Sequence, residues 1–110
     1  MNMADNFKTW VSISPRTLQP GIEARLVHTE QMSVAMVELA KGAILPEHFH
    51  VHEQVSTILE GRVEFTVAGE TRLCQPGDIV VLPSNVPHGV VALEPSRVLD
   101  VFSPVRSDYK

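Results

Sequence analysis

Short runs of valine, isoleucine and leucine, most alternating with polar residues and each stopped by Gly, Pro or Asn, recur along the whole of this chain. That spacing belongs to an all-β fold. The pattern predicts strands at Phe7 to Ser12, Ala24 to Thr29, Ser33 to Leu39, Val55 to Leu59, Arg62 to Val67, Thr71 to Cys74, Asp78 to Leu82, Gly89 to Leu93 and Arg97 to Phe102. Eight or nine strands in 110 residues leave no space for long helices. Val63, Phe65 and Val67 share one face and Glu64 and Thr66 the other, so this strand has one buried side. A three-residue turn, Ala68-Gly69-Glu70, is expected to follow, with Gly69 supplying a positive φ. Gln75-Pro76-Gly77-Asp78 and Leu82-Pro83-Ser84-Asn85 read as tight reversals. So many hairpins in so short a chain must close on themselves to hide their edges, which predicts a small barrel or jelly roll.

The length fits one small domain, and 44% apolar residues are enough to fill its interior. Nine Lys and Arg against thirteen Asp and Glu give a formal net charge of −4. No broad basic field exists, so nucleic acid and an acidic membrane surface are not expected as partners. Cys74 is the only cysteine, which excludes an internal disulfide and makes a reducing cytoplasm the expected location. It reads as a buried spectator thiol. Met1 to Trp10 carries no apolar run of signal-peptide length, and the longest later run, Ile79 to Leu82, stops at Pro83. Neither a cleaved signal nor a membrane span is expected.

Three of the five histidines stand in His48-Phe49-His50-Val51-His52, followed by Glu53 and Gln54. On an extended segment His48, His50 and His52 project to one face, where at least two imidazoles can reach a single point. His-x-His on a strand suits a borderline metal such as zinc, nickel or iron, although such pairs also arise on solvated strands. Glu53 reads as solvated, and His28 as a structural or surface histidine.

A larger frame surrounds the pair. Gly42, five residues, His48-x-His50, three residues, Gln54, six residues and Gly61 together resemble the first motif of the cupin family, with Gln54 where Glu is usual. Gly77, five residues, Pro83, Asn85 and His88 resemble the second, with Asn85 where glycine is common and Ala92 where asparagine is common. The resemblance implies a double-stranded β-helix over residues 1–110, one cupin domain whose metal-site core spans 42–106. It also implies that His48, His50, Gln54 and His88 hold one divalent ion, zinc or nickel ahead of iron or manganese. Gln for Glu removes a negative charge, so the ion keeps its full charge and acts more strongly as a Lewis acid. The family spacing skips His52.

The last strand adds a carboxylate and an aromatic ring, since Asp100 and Phe102 alternate with Leu99 and Val101. Alternation alone leaves open whether Asp100 faces the barrel or the solvent. The ending Asp-Val-Phe-Ser-Pro-x-Arg-x-Asp-Tyr, with His-x-His…Gln and Pro-x-Asn-x-x-His, is similar to the single-domain, KdgF-like cupins of pectin and alginate breakdown. That narrower resemblance implies linearisation of 4,5-unsaturated uronates to 5-keto-4-deoxyuronates, with Asp100, Phe102 and Arg106 forming the substrate end of the site. Arg106 would clamp the carboxylate of a small anionic sugar, Asp100 would move a proton, and Phe102 would wall the ring. Neutral imidazoles, a neutral amide, a divalent ion and Arg106 around one carboxylate favour an anion despite the acidic chain. The alternatives are a non-catalytic sugar-acid-binding cupin and an iron-dependent dioxygenase. The resemblance also implies a homodimer in which the N-terminal strand, Phe7 to Val11, joins the sheet of the neighbouring subunit.

Overall fold

The computed structural model describes residues 6–110, and Met1 to Asp5, part of the segment read for a signal, lie outside it. Ten strands form two antiparallel sheets, with no α-helix among the described residues. The strands are β1 (Arg16–Gln19), β2 (Ile22–His28), β3 (Ser33–Leu39), β4 (Ile44–His48), β5 (Glu53–Glu60), β6 (Val63–Val67), β7 (Glu70–Cys74), β8 (Ile79–Leu82), β9 (His88–Ala92) and β10 (Ser96–Ser103). One sheet runs β1-β2-β3-β10-β5-β8 and the other β4-β9-β6-β7. From β3 onward the chain passes from one sheet to the other at nearly every connection, which is the winding of a double-stranded β-helix. No helix among the described residues is long and apolar enough to cross a membrane.

Register decides where the apolar interior ends and the polar interior begins. In the larger sheet Val98 pairs with Ile58, Asp100 with Ser56 and Phe102 with Gln54. In the smaller sheet Val63 pairs with Ala92, Phe65 with Val90 and Val67 with His88, while His48 pairs with His88 across β4 and β9. Walking along either sheet therefore leads from an aliphatic plug to a group of polar side chains. Ile22, Ala24, Val37, Leu39, Ile58, Val63 and Val98 form that plug, all nearly inaccessible to water.

Three expectations are corrected. Phe7 to Ser12 is not a strand; Trp10–Ser12 is a 3-10 turn. The guanidinium of Arg25 gathers the carbonyls of Trp10, Val11 and Ile13 on its Nη1, which curls the segment. The turn after β6 has two residues, because Val67 pairs directly with Glu70 and both Ala68 and Gly69 have positive φ, the type I′ pattern. His48 to His52 is not one extended strand; β4 ends at His48 and the chain bends before β5. Strands β1 and β4 were not expected.

Gly61 is required by space as well as by its φ of +85°. A Cβ there would lie 2.2 Å from Ser96 Oγ and 2.4 Å from the Pro95 carbonyl oxygen. Gly61→Ala is expected to cost roughly 2–4 kcal/mol of stability from strain and overpacking together. Gly77→Ala, with φ +96° but open space around it, is expected to cost about 1 kcal/mol. Denaturant melts of the two variants check the difference.

Candidate metal centre and its cavity

His48 arrives at the end of β4, His88 at the start of β9, and His50 from the bend between β4 and β5. Their ring centroids are 4.4 Å apart for His48 and His88, 4.9 Å for His50 and His88, and 5.6 Å for His48 and His50. Each offers a nitrogen, and the three nitrogens lie within 4.8 Å of one another. Two ligands of one ion, at bonds of about 2.1 Å, stand at most about 4.2 Å apart, so small ring rotations bring these donors onto one centre.

The backbone sets which nitrogen faces inward. His48 Nδ1 lies 2.8 Å from the Pro46 carbonyl, His50 Nδ1 3.0 Å from that of His52, and His88 Nδ1 2.9 Å from that of Val86. A carbonyl only accepts, so each Nδ1 carries the proton and each Nε2 presents a lone pair. Burial pushes His50 and His88 below the ordinary imidazole value, and the positive charge of Arg106 adds to this at both. Both rings are therefore neutral donors at neutral pH.

Gln54 faces inward, 7% exposed, and its amide is oriented by a chain of hydrogen bonds. Its Nε2 donates to Ser56 Oγ at 3.0 Å, and Ser56 Oγ donates to Asp100 Oδ1 at 2.6 Å. Ser56 has one hydroxyl proton, and the ionised carboxylate takes it. The Gln54 oxygen is thus turned toward His50 Nε2, 3.1 Å away. Two acceptors that close need a cation beside them. His88 Nε2 makes the same demand, being buried with no hydrogen-bond partner among the described residues. An orphaned buried polar atom costs about 1–3 kcal/mol, which a metal bond repays. The donor set fits a divalent ion.

Asp100, Phe102 and Arg106 line the same cavity as His48, Gln54 and His88. Val98, Asp100 and Phe102 point inward, which resolves what alternation left open. Burial pushes the Asp100 carboxyl up from 3.8 to about 6, against the donors Ser56 and Gln54 and the charge of Arg106, which hold it down. A raised carboxyl value means that the folded protein binds this proton more tightly than the unfolded chain does. Its stabilising effect is complete below the ordinary value of 3.8 and is lost as pH rises from there through about 6. The loss amounts to at most about 3 kcal/mol for a two-unit shift. Metal-free Asp100→Asn should lack that decline, which denaturant midpoints between pH 4 and 7 test.

Arg106 is no surface residue on a loose tail; it is 5% exposed. Its fork, expected to be free for a substrate, is already paired: Nε donates to Asp108 Oδ1 at 3.1 Å and Nη2 to Oδ2 at 2.8 Å. Asp108 thereby removes one positive charge from the expected balance of the pocket. Arg106 in turn holds the Asp108 carboxyl below the usual range. His52 stays outside the ligand group, although its carbonyl orients His50, and its own Nδ1 is buried without a partner among the described residues. Glu53 is exposed. His28 is structural, its Nδ1 2.8 Å from Ser33 Oγ. Cys74 is buried and free, and burial pushes its thiol up. Sequence reasoning missed Ser56, Asp108 and Tyr109, although the last two fall inside the C-terminal pattern quoted for the resemblance.

The cavity, partly open to solvent, measures about 40 Å³. A water needs about 10–15 Å³ on this scale, so the floor takes an ion with a few small groups, and the body of a sugar ring would lie toward the mouth. An outer groove of about 310 Å³, lined by Arg16, Gln19, Glu47 and Pro46, shares Leu18, Leu45, His48 and Tyr109 with it. Together they offer one site with an open mouth, in which His48, Gln54, His88, Asp100 and Arg106 stand against largely aliphatic walls.

Residues 35–102 match the cupin domain family model. An uncharacterised protein of Streptomyces coelicolor is 31% identical over 93 residues, covering 84% of this chain and 89% of that protein. The structure of KdgF from Halomonas sp. superposes with a TM-score of 0.84 at 37% identity, over 88% of this chain and 91% of the other. An RmlC-like cupin from Shewanella frigidimarina superposes over the whole of both chains with a TM-score of 0.92 at 26% identity. The two facing sheets, the motif spacing and these similarities agree: the chain belongs to the cupin family.

Proposed function

We propose that the protein opens and ketonises 4,5-unsaturated uronates, giving linear 5-keto-4-deoxyuronates. The observation that carries this reading is that Asp100, Phe102 and Arg106 line one cavity with His48, Gln54 and His88, two of the three clustered histidines among them. The 37% identity to KdgF from Halomonas sp. supports it.

The reaction is an isomerisation, so every proton removed is returned. The C1 hydroxyl loses its proton, C1 becomes an aldehyde and the bond from C1 to the ring oxygen breaks, leaving an enolate at C5. C4 then takes a proton and C5 becomes the ketone. Asp100 is the group that accepts the first proton and delivers one to C4. A carboxyl at about 6 is suited to both steps near neutral pH. Ser56 and Gln54 fix its orientation through their hydrogen bonds. Arg106 binds the substrate carboxylate, and Phe102 walls the ring. A divalent ion held by His48, His50, Gln54 and His88 supplies Lewis acidity toward the substrate's oxygens.

Arg106→Lys keeps the charge but loses the planar fork, and should raise KM for unsaturated uronate about tenfold or more. Steady-state kinetics followed by ultraviolet absorbance check this. An unchanged KM contradicts the assigned clamp.

A further inference from the structure

The guanidinium of Arg106 is held more firmly than an ion pair at the end of a chain requires. Asp108 fills one edge of the fork, taking Nε and Nη2. The rings of Phe102 and Tyr109 lie 4.8 and 4.0 Å from the guanidinium carbon. Arg16, from β1, sits 5.4 Å from the Tyr109 ring, and its Nη2 donates to the Asp108 carbonyl at 3.3 Å. The Arg106 backbone N–H donates to Ser33 Oγ at 2.8 Å. Among the described residues Nη1 has no protein partner, while the side chain lines the cavity.

We propose that Asp108 is a positioning residue, gripping the Nε edge of Arg106 so that the edge bearing Nη1 receives the carboxylate of a uronate. The assignment rests on the uronate reading and deepens it. Two effects oppose each other at Asp108. Its negative charge weakens the pull of Arg106 on an anion, and its two hydrogen bonds hold the fork in one plane against the rings. Asp108 is half in solvent, its side chain 54% exposed, so water screens its charge strongly, whereas without the carboxylate the paired hydrogen bonds that fix the rotation of the fork between the rings are broken. Geometry prevails.

The test is calorimetric binding of a saturated uronate, galacturonate, to metal-loaded protein, with turnover of the unsaturated uronate measured in parallel. Asp108→Asn is expected to weaken binding about tenfold and to raise KM by a similar factor, with kcat within about twofold. In an Arg106→Lys background the same substitution should add nothing further, because its effect runs through the fork. A purely structural role would persist in that background. Unchanged or tighter binding by Asp108→Asn overturns the assignment, as does an equal loss on top of Arg106→Lys. Wild-type protein that binds galacturonate without turning over the unsaturated sugar removes the proposed reaction and leaves the Asp108 test intact. Wild-type protein that binds neither removes both.

Discussion

Asp100→Asn should reduce turnover of unsaturated uronate by about 10²–10⁴-fold, the usual contribution of a positioned proton-transfer group. Metal content should stay at the wild-type level. The amide keeps the shape of the carboxyl, and the substitution touches the ligands only through Ser56 and Gln54. The separation of the two readouts is the point of the experiment. If activity and metal disappear together, Asp100 acts by orienting Gln54. If both remain, its role as proton carrier is wrong.

The second large effect is expected at His88. It is 2% exposed, its Nδ1 is held by the Val86 carbonyl and its Nε2 has no hydrogen-bond partner among the described residues. His88→Ala removes one of three imidazoles, and metal content should fall from about one ion per chain to a small fraction of that, with activity lost in step. The variant also leaves a hole where a buried ring stood, so its melting is followed alongside. Loss of metal from a protein still folded is the expected result. Retention of a full complement of metal would place the ion elsewhere.

Where one face of a strand is buried, the chain announced it. Strand β3 has the bounds that its alternation predicts, Ser33–Leu39, and β5 to β10 begin and end within two residues of the predicted spans. Strands β1 and β4 escaped because little of either is buried: Arg16–Gln19 is an edge strand with two exposed residues, and Ile44–His48 contains Pro46 and lacks clean alternation. The N-terminal error has the same origin in reverse. Phe7 and Val11 look like a strand's apolar face, yet they are 89% and 83% exposed. The spaced histidines were legible because their positions repeat a family frame. Asp100 was ambiguous until β3 and β5 flanked β10 and decided which side faced in. Ser56 carries no local signal, since its importance lies in a partner 44 residues away, and Asp108, although it stands inside the C-terminal pattern, is masked because that pattern reserves the fork of Arg106 for substrate.

The account stands or falls on one assay, the decay of the conjugated double bond of an unsaturated uronate monomer in ultraviolet light. Metal-loaded protein should remove that absorbance faster than the spontaneous reaction. A chelator should return the rate to the spontaneous value, and a divalent ion should restore it. Decay at the spontaneous rate with metal-loaded, folded protein present would contradict the proposed reaction.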